Sequence, residues 1–324
     1  MKVLIYTIGD VVNGFGHVMR SLTLAVQLHQ RGVEVVFVTP DNTPGLDRLR
    51  RSPFAVLGHV NDDWLSMPAE VVIIDVEHGP RRPFLKAARE RYQNVVTVCG
   101  SGYKVDDPAA VGELSDLVIE QNPFAHARTL PADTLTGPEY IMIDPRYADL
   151  TPNQNGPIVL SMGGGDPYGV TQPIANALGA AGYPHVKIIV GPAAAMPDIR
   201  NGKPHIIRAP DSLLTYLDGA SLFIGALGMT SFEAAAAGVP ALLVSWTGDH
   251  EQVVQLFDES GAAINCGLAV NLNSAGVTEL IGNIATLLAY EQVWSRMSAA
   301  ARRLCDGQGA GRVADKLIEM MGEA

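Results

Sequence analysis

Short apolar stretches rich in β-branched residues alternate with amphipathic segments through the first half of the chain. The first amphipathic segment, residues 17–31, has the period of a helix. Its predicted buried face consists of Val18, Leu22, Ala25, Val26 and His29. The apolar runs predict strands at 3–8, 35–38, 71–75, 95–98 and 117–120. Strands that alternate with helices in this way favour a parallel, doubly wound sheet.

The alternation stops at residues 150–156, which read LTPNQNG, and then starts again. We interpret this turn-rich segment as a linker between two domains, 1–150 and 151–324. In the second domain, strands are predicted at 158–161, 186–190, 206–207, 222–224 and 241–245, and helices at 170–181, 212–218, 231–237 and 251–260. The chain is predicted to be helical from Ala275 onward, and its last helix, 312–321, is free to pack on either domain. The sequence therefore predicts an α/β protein with two Rossmann-like, doubly wound domains that face each other across a cleft.

Composition and charge exclude several classes of protein. Of 324 residues, 47% are hydrophobic and 18% are charged, which is not the composition of a disordered chain. The net charge of −11 argues against a general nucleic-acid-binding surface, because phosphate backbones repel a negative field. No apolar stretch reaches membrane-spanning length, and the N-terminal segment does not resemble a signal peptide. Cys99, Cys266 and Cys305 are far apart, so we expect no zinc site and no disulfide framework, and we expect a cytoplasmic protein.

Two glycine-rich loops follow predicted strands and precede predicted helices. Their residues are Gly14, Gly16 and His17 in the first loop, and Gly163, Gly164, Gly165 and Asp166 in the second. Glycines allow tight turns and let an anionic ligand reach the first N–H groups of a helix. The first loop lacks the third glycine of a dinucleotide-binding motif, and neither loop ends in the Gly-Lys-Ser/Thr of a P-loop. A plain strand-to-helix turn is the alternative interpretation of the second loop.

A third loop lies between the predicted strand 222–224 and the predicted helix 231–237. Its candidate ligand-binding residues are Gly228, Met229, Thr230 and Ser231, where hydroxyl and N–H groups would meet a diphosphate. Glu233 lies in the first turn of the predicted helix. It is a candidate to bind the two hydroxyls of a ribose, or alternatively it only stabilises the N-terminus of the helix.

Several motifs, in this order and spacing, resemble those of a known family. The motifs are GFGHVMRSLTLA at 14–25, IID at 73–75, DLVIEQN at 116–122, GPEY at 137–140 and MGGGDP at 162–167. The chain resembles the GT-B enzymes that use nucleotide-activated sugars over residues 1–265. Within that class it is most similar to the branch with the UDP-sugar hydrolase of pseudaminic acid biosynthesis and the glycosyltransferase-like spore-coat polysaccharide proteins.

The resemblance implies roles for the candidate residues. The nucleotide would bind the second domain, with Glu233 on the ribose, Thr230 and Ser231 on the diphosphate, and the loop 163–166 on the phosphate side. The segment 249–252 resembles the one that faces the donor sugar. The resemblance implies that His250, Glu251 and Gln252 contact that sugar. His17 takes the position of the catalytic base.

The chemistry supports these roles without the resemblance. Displacing a nucleotide diphosphate from an anomeric carbon needs a base that activates the incoming hydroxyl or water, and groups that stabilise the leaving phosphates. Helix N-termini can stabilise the phosphates, so we expect no metal and no other cofactor. At a helix start, His17 is favoured in the neutral form that a base needs. The alternative is that His17 is an ordinary residue of a helix N-terminal turn.

The loop after Asp75 departs from the family pattern. In the pseudaminic-pathway hydrolases it contains Asp-His-Tyr-Gly, whose tyrosine contributes to the active site. Here residues 75–79 read DVEHG, one residue longer and without tyrosine, so Glu77 and His78 are candidates for the acceptor side. We therefore favour a glycosyltransferase that moves a sugar from a nucleotide donor, preferably a UDP-sugar, to a small-molecule or glycan acceptor. A hydrolase of the same fold is the alternative, a non-catalytic sugar-nucleotide-binding module is a third hypothesis, and the stereochemical outcome stays open.

Overall fold

A computed structural model describes residues 1–10, 15–59, 62–76, 82–99, 108–121 and 133–322. The chain divides into two compact units. The first unit comprises Met1–Asp144 together with Gln308–Ala324, and the second comprises Pro145–Gly307. Each unit contains one sheet whose paired strands are all parallel, in agreement with the alternating pattern of the sequence.

The first unit is built on a seven-stranded sheet. Its strands are β1 (Lys2–Thr7), β2 (Glu34–Pro40), β3 (Ala55–His59), β4 (Val71–Asp75), β5 (Asn94–Cys99), β6 (Leu117–Glu120) and β7 (Thr134–Leu135). The helices between them are α1 (Gly16–Gln30), α2 (Pro44–Arg50), α3 (Arg82–Arg89) and α4 (Pro108–Leu114). The strand order is β3-β2-β1-β4-β5-β6-β7. The direction of winding reverses between β1 and β4, which is the switch point where ligands bind in sheets of this kind.

The second unit repeats this plan with six strands. Its strands are β8 (Ile158–Ser161), β9 (Val186–Val190), β10 (His205–Arg208), β11 (Leu222–Ala226), β12 (Ala241–Ser245) and β13 (Ala263–Leu268). Its helices are α5 (Thr171–Ala180), α6 (Leu214–Leu217), α7 (Met229–Ala236), α8 (Gly248–Glu259), α9 (Ser274–Ala289) and α10 (Glu291–Leu304), and α11 (Gly309–Gly322) follows. The strand order β10-β9-β8-β11-β12-β13 places the switch point between β8 and β11.

Helices cover both faces of the first sheet, and alternate residues of β1 pack against the helices on opposite faces. In β1, Val3 and Ile5 are in the apolar cluster that includes α1 and α11, whereas Leu4 packs in a separate cluster with α3 and α4. Such strands must be apolar on both faces, which accounts for the continuous apolar runs in the sequence. The last helix, α11, therefore belongs to the first unit, and Arg31, the C-cap residue of α1, pairs with Asp315 of α11 at 2.7 Å.

The chain passes from the first unit to the second after Asp144, whereas the sequence predicts a boundary after residue 150. The difference arises because the 3-10 helix Pro145–Asp149 is held by side chains of the second unit. The Tyr147 hydroxyl accepts a hydrogen bond from the N–H of Leu213 at 3.1 Å, and Arg302 donates to the Ala148 carbonyl at 2.8 Å. The residue types of the segment 145–149 do not predict these hydrogen bonds, because the partners are distant in the sequence.

Within the described ranges, no helix has both the length and the apolar character that a membrane-crossing segment requires.

Two helical glycines of the second unit differ in how closely the backbone of another segment approaches them. A Cβ atom at Gly179 in α5 would lie 2.1 Å from the carbonyl oxygen of Asn201, whereas a Cβ at Gly282 in α9 would meet no atom within 4 Å. We expect Gly282→Ala to raise the free energy of unfolding by about 0.4–1 kcal/mol, because alanine restricts the unfolded chain. We expect Gly179→Ala to lower it by about 1–3 kcal/mol, because the backbone must shift. Urea unfolding of the two variants checks this, and equal stability of both would contradict the close packing at Gly179.

Candidate active site

The start of α1 lies beside the switch point of the first sheet. The helix begins at Gly16, directly after the glycine loop that follows β1, so His17 is its second residue. Asp75 is the last residue of β4, the strand next to β1, and it pairs in register with Thr7. Both side chains are therefore at the carboxyl edge of the sheet, and both are buried, with 8% of His17 and none of Asp75 exposed.

The Asp75 carboxylate is surrounded by hydrogen-bond donors from α1. One oxygen, Oδ2, accepts from Nε of Arg20 at 2.9 Å and from the hydroxyl of Ser21 at 2.9 Å. The other oxygen, Oδ1, accepts from Nη2 of Arg20 and lies 2.7 Å from Nδ1 of His17. An arginine fork that binds both oxygens is the strongest form of charge-assisted pairing, and it fixes the carboxylate in one orientation.

These contacts keep Asp75 ionised although it is buried. Burial alone would raise the pKa of Asp75, but the charges of Arg20 and His17 and the hydrogen bonds from them outweigh burial and hold the pKa below its usual range. A buried carboxylate without such partners would instead take up a proton.

His17 is fixed through one ring nitrogen. Its Nδ1 atom lies 2.7 Å from Asp75 Oδ1 and 2.8 Å from Arg20 Nη2. When Nδ1 carries the proton, it donates to Asp75, and Nε2 then holds the lone pair that can accept a proton from a ligand. Within the described part of the chain, Nε2 forms no hydrogen bond. The arrangement can therefore serve as a general base oriented by a carboxylate.

In the second unit, the triple-glycine loop follows β8 at the switch point. Gly163 has a φ of +81°, and Cβ atoms at Gly163 or Gly164 would meet nothing within 4 Å, so the loop presents open backbone. The Asp166 carboxylate is already engaged with the backbone: it accepts hydrogen bonds from the N–H groups of Val170 at 3.0 Å and Thr171 at 2.9 Å. It fixes the end of the loop to the start of α5.

The N-terminus of α7 lies on the other side of the same switch point. The helix begins at Met229, directly after Gly228, which places Met229 and Thr230 in its first turn, both half-buried. The fully buried Ser231 donates its hydroxyl proton to the carbonyl of Gly228 at 2.6 Å and so stabilises the turn. First-turn N–H groups have no partner inside a helix, so this end of α7 can bind an anion.

Glu233 lies beyond the first turn of α7, which corrects the prediction from the sequence. The helix starts at Met229, earlier than the predicted residue 231, and its first turn contains no acidic residue. Gly228, Thr230 and Ser231 are all residue types that favour the N-cap position, so residue type alone did not separate a start at 229 from one at 231. Because the helix dipole acts within the first turn, a role of Glu233 as a dipole partner is weakened.

The residues predicted to face the donor sugar lie at the start of α8, after β12. Thr247 caps this helix, and its side-chain oxygen accepts a hydrogen bond from the His250 N–H at 3.3 Å. His250 and Glu251 lie in the first turn and are half-buried, whereas Gln252 is exposed. Burial lowers the pKa of His250, although the charge of Asp249 opposes the shift. The neutral imidazole is thereby favoured, and its buried Nδ1 has no hydrogen-bond partner in the described ranges.

The structure thus brings the predicted residues together in two groups, each within one unit. Gly16 and His17 are beside β1 in the first unit, and the residues of the second unit are on the loops after β8, β11 and β12. Gly14, Glu77 and His78 lie outside the described residues. Among those that are described, no group of three or more His, Cys, Asp or Glu side chains is placed to hold a metal ion.

Three residues of the site were missed by the sequence analysis: Arg20, Ser21 and Asp75. Arg20 and Ser21 belong to the buried side of α1, whereas Val26 is 41% exposed and His29 is exposed, contrary to the predicted face. Two signals could have found them. Asp75 ends an otherwise apolar strand, and Arg20 follows His17 by three positions, which places both on one side of a helix.

Comparison with known proteins supports this architecture. No protein-family model matches the chain. The chain is 24% identical over 343 aligned residues to the spore coat polysaccharide biosynthesis protein SpsG of Bacillus subtilis, with 97% of this chain and 96% of that protein covered. It is 25% identical over 276 residues to an uncharacterized protein of Methanocaldococcus jannaschii, of which it spans only 55%.

Solved structures resemble the whole chain. Acinetobacter baumannii MurG matches with a TM-score of 0.67 and 17% identity, covering 98% of this chain and 99% of that one. The spinosyn forosaminyltransferase SpnP matches with a TM-score of 0.68 and 13% identity, covering 99% of each chain. The chain has the GT-B fold. The Neisseria meningitidis UDP-GlcNAc 2-epimerase, solved with UDP-GlcNAc bound, matches at a TM-score of 0.60 and 12% identity over 98% of this chain and all of that one. The predicted fold and the predicted resemblance to the spore-coat polysaccharide branch are confirmed.

The lowered pKa of Asp75 predicts how the stability of the fold changes with pH. Because its pKa is lower in the folded protein than the usual value of about 3.9, the pairing stabilises the fold above about pH 4 and is lost as the pH falls through the folded value. At pH 7, we expect Asp75→Asn to lower the free energy of unfolding by about 3–5 kcal/mol, because the buried charge of Arg20 loses its carboxylate partner. The difference from wild type should shrink below pH 4.

Urea unfolding between pH 2 and pH 7 checks this expectation. The control is Asp315→Asn, which removes an exposed carboxylate that pairs with Arg31, and we expect that change to cost at most about 1 kcal/mol. An Asp75→Asn protein as stable as the control at pH 7 would show that the buried pair contributes nothing to stability.

Proposed function

We propose that this chain is a glycosyltransferase that moves a sugar from a nucleotide diphosphate to an acceptor hydroxyl, without a metal and with His17 as the general base. The observation that carries the proposal is the buried Asp75–His17 contact of 2.7 Å at the switch point of the first sheet. A histidine that is held in one orientation by a buried carboxylate, with its second nitrogen left for a ligand, has the properties of a catalytic base.

The proposed reaction is a displacement at the anomeric carbon. His17 Nε2 takes the proton from the acceptor hydroxyl, and the acceptor oxygen forms a bond to the anomeric carbon. The bond between that carbon and the diphosphate oxygen breaks, and the electron pair leaves with the nucleotide diphosphate. The proton on Nδ1 stays on His17, where Asp75 accepts its hydrogen bond and stabilises the imidazolium that forms.

The second unit supplies the proposed nucleotide site. The open backbone at Gly163 and Gly164 and the first turn of α7, with Met229 and Thr230, suit the negative charge of a diphosphate. The same N–H groups would stabilise the leaving group, which is why no metal ion is required by the proposal. Ser231 contributes by fixing the turn at Gly228, because its hydroxyl is already engaged there.

Further contacts follow from the positions of polar residues near the starts of α7 and α8. We assign Glu233 to the ribose hydroxyls and the start of α8, with His250, Glu251 and Gln252, to the donor sugar. A UDP-sugar is the favoured donor, since one structure of the same fold is a UDP-GlcNAc epimerase with UDP-GlcNAc bound. Glu77 and His78 directly follow Asp75 in the sequence, so we assign them to the acceptor side.

A hydrolase that releases the free sugar is the second candidate. The opening motif around His17 favours it, because this motif resembles the branch that contains a UDP-sugar hydrolase. The same base would then activate water in place of an acceptor hydroxyl.

The role of His17 predicts a selective loss of activity. We expect His17→Ala to lower turnover by about 10²–10⁴-fold, the usual contribution of a positioned base, and to leave nucleotide affinity nearly unchanged. The matched control is His29→Ala, which removes an exposed histidine from the other end of the same helix. Steady-state kinetics and nucleotide titration of both variants check this. Wild-type turnover in His17→Ala would refute the role of His17.

Product analysis separates the two candidate functions. The enzyme is incubated with a UDP-sugar, first alone and then with a series of small sugar and glycan acceptors, and free sugar, UDP and glycoside are quantified. A transferase forms glycoside in proportion to UDP and releases little free sugar. Release of free sugar without an acceptor, at the full rate of UDP formation, would replace the transferase proposal with the hydrolase.

A further inference from the structure

Three atoms at the buried end of α1 form a tight triangle. Nδ1 of His17 lies 2.7 Å from Oδ1 of Asp75 and 2.8 Å from Nη2 of Arg20, and Nη2 also donates to Oδ1. Arg20 is only 5% exposed, so its guanidinium is close to the imidazole without water between them. His17 and Arg20 are three positions apart on one side of the helix, which brings a permanent cation next to the proposed base.

The chemistry of the triangle allows Nδ1 only one hydrogen bond at a time. A guanidinium only donates and an ionised carboxylate only accepts, so Nδ1 either donates to Asp75 or accepts from Arg20. The form that is active as a base through Nε2 is the one that donates to Asp75. In that form Arg20 does not hydrogen-bond to the imidazole, but its charge stays beside the ring.

Arg20 also supplies the charge that Asp75 needs. The carboxylate accepts two hydrogen bonds from the guanidinium and one from Ser21, so its charge is balanced whether or not His17 carries a second proton. A protonated, positively charged His17 would then lie between a carboxylate that is already paired and the guanidinium of Arg20, which is also positively charged. Like charges at this distance disfavour the charged form of the ring.

We propose that Arg20 is a positioning residue that fixes Asp75 and opposes the accumulation of a proton on His17, so that the base returns to its neutral form after each turnover. This inference rests on the proposed function of His17 as the base. A simple carboxylate–histidine pair would stabilise the protonated ring and retain the proton. The guanidinium in the triangle cancels much of that stabilisation.

Other ionisable groups near this end of α1 do not form the triangle. In the described structure, the side-chain partners of His17 are Asp75 and Arg20, and the charges that act on Asp75 are those of Arg20 and His17. Three carboxylates lie on neighbouring described segments, after β1, after β2 and on α2: Asp10, Asp41 and Asp47. Arg31 and Asp315 pair with each other at the far end of the helix.

The proposal is tested by titrating His17 directly. The protein is labelled with ¹³C- and ¹⁵N-histidine, the His17 signal is identified by its loss in His17→Ala, and its chemical shift is followed with pH. We expect Arg20→Gln to raise the midpoint of this titration by about 1–3 pH units, because a like charge is removed. Arg20→Lys, which keeps the charge, should leave the midpoint close to that of wild type. The control Arg31→Gln removes a cation from the C-cap of the same helix and should not move the midpoint.

A charge-balanced variant covers the case that Arg20→Gln does not fold. Arg20→Gln with Asp75→Asn removes both buried charges and keeps a polar side chain at each position. Its midpoint should lie close to that of wild type, because the two effects oppose each other. Asp75→Asn alone should have a lower midpoint than this double variant. A midpoint that does not change between Asp75→Asn and the double variant, or between wild type and Arg20→Gln, would overturn the proposal.

Activity separates failure of this proposal from failure of the proposed function. We expect the acid limb of the kcat/KM profile to move to higher pH in Arg20→Gln, in parallel with the His17 titration. If His17→Ala keeps wild-type turnover, the function of His17 as a base is refuted, whereas the titration still measures the effect of Arg20. If His17→Ala loses activity but the titration does not respond to Arg20→Gln, only the inference about Arg20 is refuted.

Discussion

The buried charge of Asp75 is the constraint on which the first unit depends. A carboxylate with no exposed surface is stable in its ionised form only when donors surround it, and here all of the described donors are on α1. The start of α1 is therefore attached to the end of β4 by polar contacts, while the rest of the helix packs through apolar residues. The same contacts determine the orientation of His17, so the stability of the unit and the geometry of the proposed base have one origin.

Parallel sheets explain why the two groups of site residues are where they are. In each unit, the chain winds outward in one direction, returns to the centre and winds outward in the other. The loops on either side of the reversal diverge and leave backbone N–H groups accessible at helix starts. His17 and Asp75 flank this position in the first unit, and the triple-glycine loop and the start of α7 flank it in the second. One topology thus supplies a fixed base in one unit and an anion site in the other.

Local features of the sequence predicted most of the fold but not the inner surface of α1. Apolar runs and glycine loops identified β1, β4, β8 and β11 and the helices α1, α5 and α7, because these signals depend on neighbouring residues. Arg20 and Ser21 are buried for a different reason: their partner, Asp75, is 55 and 54 positions away. Periodicity treats a polar residue as exposed, so it turned the predicted face toward Val26 and His29 instead. The hydrogen bonds that engage Asp166 and Ser231 likewise depend on backbone geometry, which residue type alone does not reveal.

The central claim is that the second unit binds the nucleotide of a sugar donor. Calorimetric titration of the wild-type protein with UDP, GDP, CMP and dTDP in the absence of added metal tests it most directly. We expect saturable binding of one nucleoside diphosphate, UDP, with one site per chain. Absence of binding for all four nucleotides would contradict the claim.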